Sequence, residues 1–449
     1  MGTDTVRTEA ADDAAGRRRE QHGWYFYDWA CSVYSTSVLT VFLGPYLTSV
    51  AESAADTDGF VHPLGIPVRA GSFFAYSVSA SVILSIFVMP LAGAAADRTG
   101  RKKPLLATAA YVGAAATAGM FFLDGDRYLL GGFLLIVANA SVAVSMVLYN
   151  SYLPQIAPPE ERDAVSSRGW AFGYAAGALV LVANLVLFTA HDSFGLSEAT
   201  AVRICLASAG IWWGAFTLVP LKRLRDRPAT TPKGTSAHGW RQLAATVREM
   251  RRKPRTLAFL LAYLVYNDGI QTVISQASVY GSEELRLGQS TLIVAVLLVQ
   301  LLAVAGALGM GRLARTYGAK RTILGSLVAW TVTIGAGYFL PAGSSAWFFV
   351  LAAGIGLVLG GSQALSRSLF SHLVPPGKEA EYFSAYEMSD RGMSWLGPLV
   401  FGLTYQLTGS YRDAIISLVA FFVIGFLLLA RVSVREAVRD AGNPVPDRI

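Results

Sequence analysis

Gly93-Ala94-Ala95-Ala96-Asp97-Arg98-Thr99-Gly100-Arg101-Lys102 follows one long apolar run, and Gly311-Arg312-Leu313-Ala314-Arg315-Thr316-Tyr317-Gly318-Ala319-Lys320 follows another. In each stretch a second glycine and then a lysine recur at the same spacing, among small and basic residues. A second marker has the same relation. Ala157-Pro158-Pro159-Glu160 stands two runs after the first stretch, and Val374-Pro375-Pro376-Gly377 stands two runs after its counterpart. Two markers in the same order and at nearly the same offset are the signature of one unit used twice.

Outward from these markers, the first half holds apolar runs at about Trp29–Ser49, Gly71–Gly93, Pro104–Leu123, Leu129–Tyr152, Gly169–Ala190 and Ala201–Pro220. The second holds runs at about Leu257–Tyr280, Thr291–Met310, Thr322–Leu340, Ala346–Phe370, Tyr382–Leu407 and Ala414–Arg431. Each is long enough for a membrane-spanning helix, which needs about 20 apolar residues. A spanning β-barrel would alternate polar and apolar over about ten residues instead. The expected fold is an all-α membrane protein of twelve helices in two pseudo-symmetric six-helix halves, 24–220 and 256–431. A tail (1–23), a linker (221–255) and a second tail (432–449) complete the chain. One amphipathic helix is expected near Trp240–Arg252.

Composition agrees. Of 449 residues, 53% are hydrophobic and 15% charged, and the mean hydropathy is +0.45. A soluble chain carries about 25% charged residues, so a soluble multidomain enzyme, a disordered chain and a disulfide scaffold are excluded. Cys31 and Cys205 both lie in apolar sequence and read as small core residues. The net charge of +7 could suggest nucleic acid, but position decides. About 31 of the 37 Lys and Arg fall in tails and loops on one side, including Arg17-Arg18-Arg19 and Arg251-Arg252-Lys253. Arg69, Arg127, Arg203, Arg286 and Arg412 fall on the other. Both termini are therefore expected in the cytoplasm, with no nucleic-acid partner. The polar N-terminal stretch has no apolar core followed by a cleavage site, so no cleaved signal peptide is expected.

Charged groups at membrane depth are costly and mark function. Asp268 lies about eleven residues into the seventh run, some 16 Å from its end and near the midplane. Tyr266, Asn267 and Gln271 surround it, with Asn267 and Gln271 spaced for one helical face. Two readings stay open: a carrier of a proton or ammonium group, and an acid paired to another helix for packing. Asp28 stands among Trp24, Tyr25, Tyr27 and Trp29, which is the look of an interfacial aromatic belt. The eleventh run carries Glu387, Asp390 and Arg391, and Glu387 and Arg391 are spaced to neutralise each other. That trio reads either as a structural ion pair or as a relay or lock near the cytoplasmic side, which Arg367 could join. Asn139, Met146 and Asn150 make a stripe in the fourth run. Gly169, Gly173 and Gly177, and Gly354, Gly356, Gly360 and Gly361, are expected to seat close helix contacts. In the loop stretch, Gly93 and Gly100 permit a tight turn, Asp97 can cap or pair, and Arg98, Arg101, Lys102 and Lys103 reach acids or lipid phosphates.

The Gly-x-x-x-Asp-Arg-x-Gly-Arg-Lys pattern between the second and third runs of a six-plus-six repeat resembles the major facilitator superfamily. Tyr25-Phe26-Tyr27-Asp28-Trp29-Ala30, Tyr266-Asn267-Asp268-Gly269 and Gly361-Ser362-Gln363-Ala364-Leu365-Ser366-Arg367-Ser368 are similar to the branch of autophagy-related vacuolar amino acid effluxers and their bacterial relatives. Cys31 departs from the Asn expected there, and Arg315 replaces an acid in the second copy of the loop motif. The resemblance implies that the first and seventh helices line a cavity and that Asp97 and Arg98 latch the halves on the cytoplasmic side.

The expectation is a secondary active transporter of a small polar or zwitterionic metabolite, such as an amino acid. It would work by alternating access, coupled to protons through Asp268 with Asp28 and the acids of the eleventh run. An exporter of drug-like or lipid-like compounds and a non-transporting membrane sensor are the alternatives. The five histidines make no metal array and no phosphate-binding glycine loop exists, so no cofactor, metal or enzymatic activity is expected. The expected partners are a small-molecule substrate, a coupling proton and the lipid bilayer, around a monomer in a bacterial inner membrane.

Overall fold

The computed structural model describes residues 2–228, 248–391, 396–446 and 448, with their side chains except those of 2–13, 278, 289, 290 and 391. Lipid offers no partner for a backbone amide or carbonyl, so each apolar run closes its hydrogen bonds internally as helix. The first span comprises α1 (Gly2–Val33), a wide π-helical stretch (Tyr34–Phe42) and α2 (Leu43–Ser53). Pro45 accounts for the wide turn: it has no amide to donate, and its ring crowds the carbonyl four residues back. Leu43 donates to Val38, five residues back rather than four. A short hairpin, β1 (Phe60–Val61) with β2 (Val68–Arg69), leads into the next span.

Helices α3 (Phe73–Thr99), α4 (Lys102–Gly119), α5 (Tyr128–Asn150), α6 (Arg162–Thr189) and α7 (Glu198–Arg223) follow. The next are α8 (Pro254–Val279), α9 (Gln289–Tyr317), α10 (Ala319–Tyr338) and α11 (Ser345–His372). The chain continues through α12 (Glu379–Arg391), α13 (Leu396–Thr408), α14 (Tyr411–Ser417), α15 (Val419–Arg431) and α16 (Val434–Asp440). Among the described residues, ten spans are long and apolar enough to cross a membrane. Two of the expected twelve stand outside that number. The ninth is α10, diluted by glycine and threonine; the eleventh is α12 and α13, on either side of residues 392–395. The helix expected near Trp240–Arg252 lies mostly outside the described residues, of which 248–251 are helical.

The chain packs as two units. The first holds Met1–Tyr149 and Ala175–Ala229; the second holds Asn150–Tyr174 and Thr230–Ile449. In the first, Trp213 is fully buried, and Gly113 leaves the space its indole occupies. In the second, Trp330 stacks on Phe422 with centroids 5.3 Å apart. There α9 and α11 approach closely: a Cβ on Gly356 would come within 2.7 Å of the Val299 carbonyl oxygen, and one on Gly360 would strike that of Ala303. Small residues let helix backbones meet where lipid gives no hydrophobic drive to associate. Outward faces carry exposed apolar residues such as Phe87, Phe133, Ile211, Leu301 and Val332. Such a surface is solvated by acyl chains, so the protein is an integral membrane protein.

Candidate functional site

In the first unit, Asp28 lies on α1 and is only 5% exposed. Tyr149 at the end of α5 donates its hydroxyl to Asp28 Oδ2 at 2.6 Å. Trp24 Nε1 donates to the Tyr149 carbonyl at 2.9 Å, and the two rings stack 4.3 Å apart. The aromatic-belt reading of this segment is thereby corrected. Trp24, Tyr25 and Tyr27 are buried against protein, whereas belt residues would turn their rings to the lipid headgroups. Asn139 on α5 donates Nδ2 to Ser81 Oγ on α3 at 2.6 Å, while its buried Oδ1 has no hydrogen-bond partner.

The glycine-rich loop stretch closes in the same unit. Gly100 adopts φ 65°, where a side chain is disfavoured, and returns its amide to the Ala96 carbonyl at 2.9 Å. Gly93 is buried inside α3. Asp97 pairs with Lys102 at 3.3 Å, and both side chains are buried. Lys102 thus reaches an acid, Asp97, inside the unit, while Arg98 and Arg101 stay exposed. Asp226 accepts from the Lys103 amide at 2.7 Å and caps the start of α4. Glu20 holds the segment after α7 through the Arg225 amide (3.1 Å) and the Arg227 guanidinium (2.9 Å).

In the second unit, consecutive residues of α8 address the two parts of the eleventh span. Asn267 donates Nδ2 to Asp390 Oδ1 at 2.6 Å, and Tyr263, one turn earlier, donates to the same oxygen at 2.9 Å. Gln363 on α11 donates to Asn267 Oδ1 at 2.7 Å. Tyr266 and Ser366 share a hydrogen bond of 2.6 Å between hydroxyls. Asp268, 2% exposed, accepts from the Gly397 amide at the start of α13 at 2.8 Å. Its other oxygen, Oδ1, is buried with no hydrogen-bond partner. Gln271, one turn further along the same helix and half-buried, makes none of these bonds.

A second network lies toward the end of α11. Arg367, 1% exposed, donates Nε to Ser166 Oγ and Nη2 to the Ser166 carbonyl, both at 2.9 Å, and Nη1 to Asn150 Oδ1 at 3.3 Å. Asn150 donates Nδ2 to Glu387 Oε1 at 2.7 Å. The Arg367 guanidinium sits 5.3 Å over the Trp170 ring, a favourable cation–π arrangement. Arg162 donates to the Ser371 carbonyl at 2.9 Å nearby. Glu387 thus has an amide partner on another segment. The Arg391 side chain expected opposite it lies outside the described residues.

Sequence reading missed Tyr263, Ser166, Trp170 and Ser81, and did not assign roles to Gln363 and Ser366. A signal was present for some: Tyr263 and Asn267, and Ser362 and Ser366, are spaced i, i+4. Which helix they address could not be read without knowing the rotation of both helices.

The fold is shared with solved transporters. The fucose:proton symporter FucP of E. coli superposes with a TM-score of 0.69 at 13% identity, covering 93% of this chain and 98% of that one. A bacterial homologue of the iron transporter ferroportin, in an outward-facing state, superposes at 0.66 with 15% identity over 94% and 100%. Spans of this kind in this arrangement are the major facilitator fold. The chain belongs to the family described as Vacuole effluxer Atg22 like, which matches residues 16–442. The MFS-type transporter YxiO of Bacillus subtilis (strain 168) is 28% identical over 418 residues, covering 92% of this chain and 95% of that protein.

Proposed function

We propose that the protein is a proton-coupled secondary transporter of a small polar or zwitterionic metabolite, amino acids being the first class to test. It works by alternating access of the halves 24–220 and 256–431 around a site near the bilayer midplane. Asp268 takes the proton, Asp28 binds in the other half, and Glu387 and Asp390 lie on the pathway with Tyr266, Asn267 and Asn139. Asp97, Arg98 and the neighbouring loop residues form the cytoplasmic gate. The lopsided Lys and Arg distribution supports cytoplasmic termini in a bacterial cell membrane.

The observation that carries this reading is the Asp268 carboxyl: buried at mid-span, with one oxygen on a backbone amide and the other unpartnered. An acid so placed is a costly element that packing alone does not require. Uptake of labelled amino acids into proteoliposomes under an imposed pH gradient tests it. Gradient-driven accumulation in wild type, reduced in Asp268→Asn to gradient-independent exchange, is the expected result. Accumulation that ignores the gradient, or a wild-type response in Asp268→Asn, overturns it.

A further inference from the structure

The Val374-Pro375-Pro376-Gly377 marker leaves the end of α11 short of donors. A helical carbonyl takes the amide four residues on, and for Ser371 and His372 those positions are Pro375 and Pro376, which have none. Side chains supply what the prolines withhold. Arg162 Nη1 donates to the Ser371 carbonyl at 2.9 Å. Asn443 Nδ2 donates to the His372 carbonyl at 2.9 Å and to that of Val374 at 2.7 Å. Asn443 stands in the C-terminal tail, just after α16. Gly442, at φ 80°, donates to the Arg439 carbonyl at 2.9 Å, and the Asn443 amide reaches back to that of Val438 at 3.2 Å. These are the two bonds that end a helix on a left-handed glycine, and they fix the backbone from which the Asn443 side chain leaves.

The same tail is fastened to α8. Glu436 and Asp440 stand one turn apart on α16, and the Arg255 guanidinium at the start of α8 takes both, at 2.6 Å and 2.8 Å. Exposed ion pairs contribute little alone, but α16 also buries Val434, Ala437 and Val438 in the core of the second unit, where Phe259 of α8 and Leu373 and Val374 beyond α11 are buried too. One short segment therefore grips two helices. Those two helices carry the candidate site: Asn267 and Tyr266 of α8 are bonded to Gln363 and Ser366 of α11. Along the helix axes, Arg255 is about 12 Å from Tyr263, and His372 is about 7 Å from Arg367. All of these residues belong to the second unit.

We propose that the C-terminal tail is a strap that sets the spacing of α8 and α11 across the candidate site, with Asn443 as the positioning residue on α11 and Arg255 as its counterpart on α8. The Pro-Pro marker has a role in this arrangement. By removing two amides it keeps the last carbonyls of α11 open to side chains from elsewhere in the chain, and Asn443 answers with an amide that donates to two of them. Asn443 grips α11 and Arg255 grips α8, so a strap broken at either end is the same broken strap.

Hydrogen exchange of purified full-length protein in lipid nanodiscs tests it, normalised to the Lys102–Gly119 peptide of the first unit. Asn443→Asp, which loses the donors, and Arg255→Glu, which repels both acids, should each raise the exchange of residues 263–271 and of residues 362–370 by about tenfold, the size of one or two lost hydrogen bonds. The double variant should exchange like either single one. Asn443→Gln and Arg255→Lys, which keep the donors, should behave as wild type, and Asn443→Ala serves if the Asp variant does not fold. Independent local contacts give another pattern: each variant loosens only its own helix, and the double variant shows both effects. That pattern overturns the proposal, as does exchange that ignores both single variants. That α8 and α11 frame a transport site rests on the proposed function, whereas the exchange measurement does not. Proton-driven uptake by wild type with site helices that ignore both variants sinks only this inference. The expected exchange pattern in a protein that takes up no amino acid sinks only the transport reading.

Discussion

Tyr149 is a donor to the buried Asp28, with its hydroxyl at 2.6 Å and its ring pinned by Trp24. Removing a donor from a buried carboxylate costs about 1–3 kcal/mol, because the acceptor loses its partner without regaining water. Tyr149→Phe should therefore lower the apparent melting temperature of the detergent-solubilised protein by a few degrees. The same variant with Asp28→Asn should recover part of the loss, because the remaining group is then neutral. A Tyr149→Phe protein that melts with wild type would show that the Tyr149 hydroxyl does not stabilise Asp28. The Asp97 and Lys102 pair obeys the same logic in a different setting. Two buried charges 3.3 Å apart at a helix end compensate each other, and removing either takes that compensation from the other.

Helices α9 and α11 meet through glycine, and this seam is where a substitution acts on an element as a unit. Gly360→Leu places a side chain against the Ala303 carbonyl and cannot be absorbed by a flexible neighbour, because backbone is what it strikes. Overpacking of this kind costs about 1–3 kcal/mol or more. Gly325→Ala on α10 meets open space and should leave the melting temperature unchanged or raise it, since alanine is the better helix former by about 1 kcal/mol. Equal melting of the two variants would remove the seam from the account of stability. Elements of this kind were largely legible in the sequence. The apolar runs, the repeated loop stretch and the small-residue spacing of the tenth run each have a direct physical reading. The eleventh run was legible in its two described parts, Glu379–Arg391 and Leu396–Thr408, both helical as its apolar length suggested. The partners of the buried acids were not legible, because Asp390 meeting Tyr263 and Asn267, or Asp268 meeting Gly397, depends on how whole helices are rotated against one another.

At the scale of the whole chain, packing cuts across the repeat. Asn150–Tyr174 belongs to the first six-helix half in sequence, yet it packs with the second unit. Within that unit, Arg367 grips Ser166, Asn150 joins Arg367 to Glu387, and Ser166 donates to the Ala364 carbonyl at 2.7 Å. Gly311, from the second copy of the loop stretch, admits Ser167 so closely that a side chain there would collide with it. Segments of one repeat that bond into the other must part if the halves rock as proposed, so these contacts are where that proposal is open to test. Cysteines at Ser166 and Ala364 give a direct test. The native Cys31 and Cys205 are both buried in the first unit and do not compete for a cross-link. Oxidation of the Ser166→Cys, Ala364→Cys protein in proteoliposomes should form the bridge, abolish net flux and leave flux restored by reductant. Either single variant should transport with and without oxidant. Full flux in a protein shown by mass to be cross-linked would mean that Asn150–Tyr174 travels with the second unit throughout, and that the moving boundary lies at Tyr149 and Ala175 rather than at the linker between the repeats.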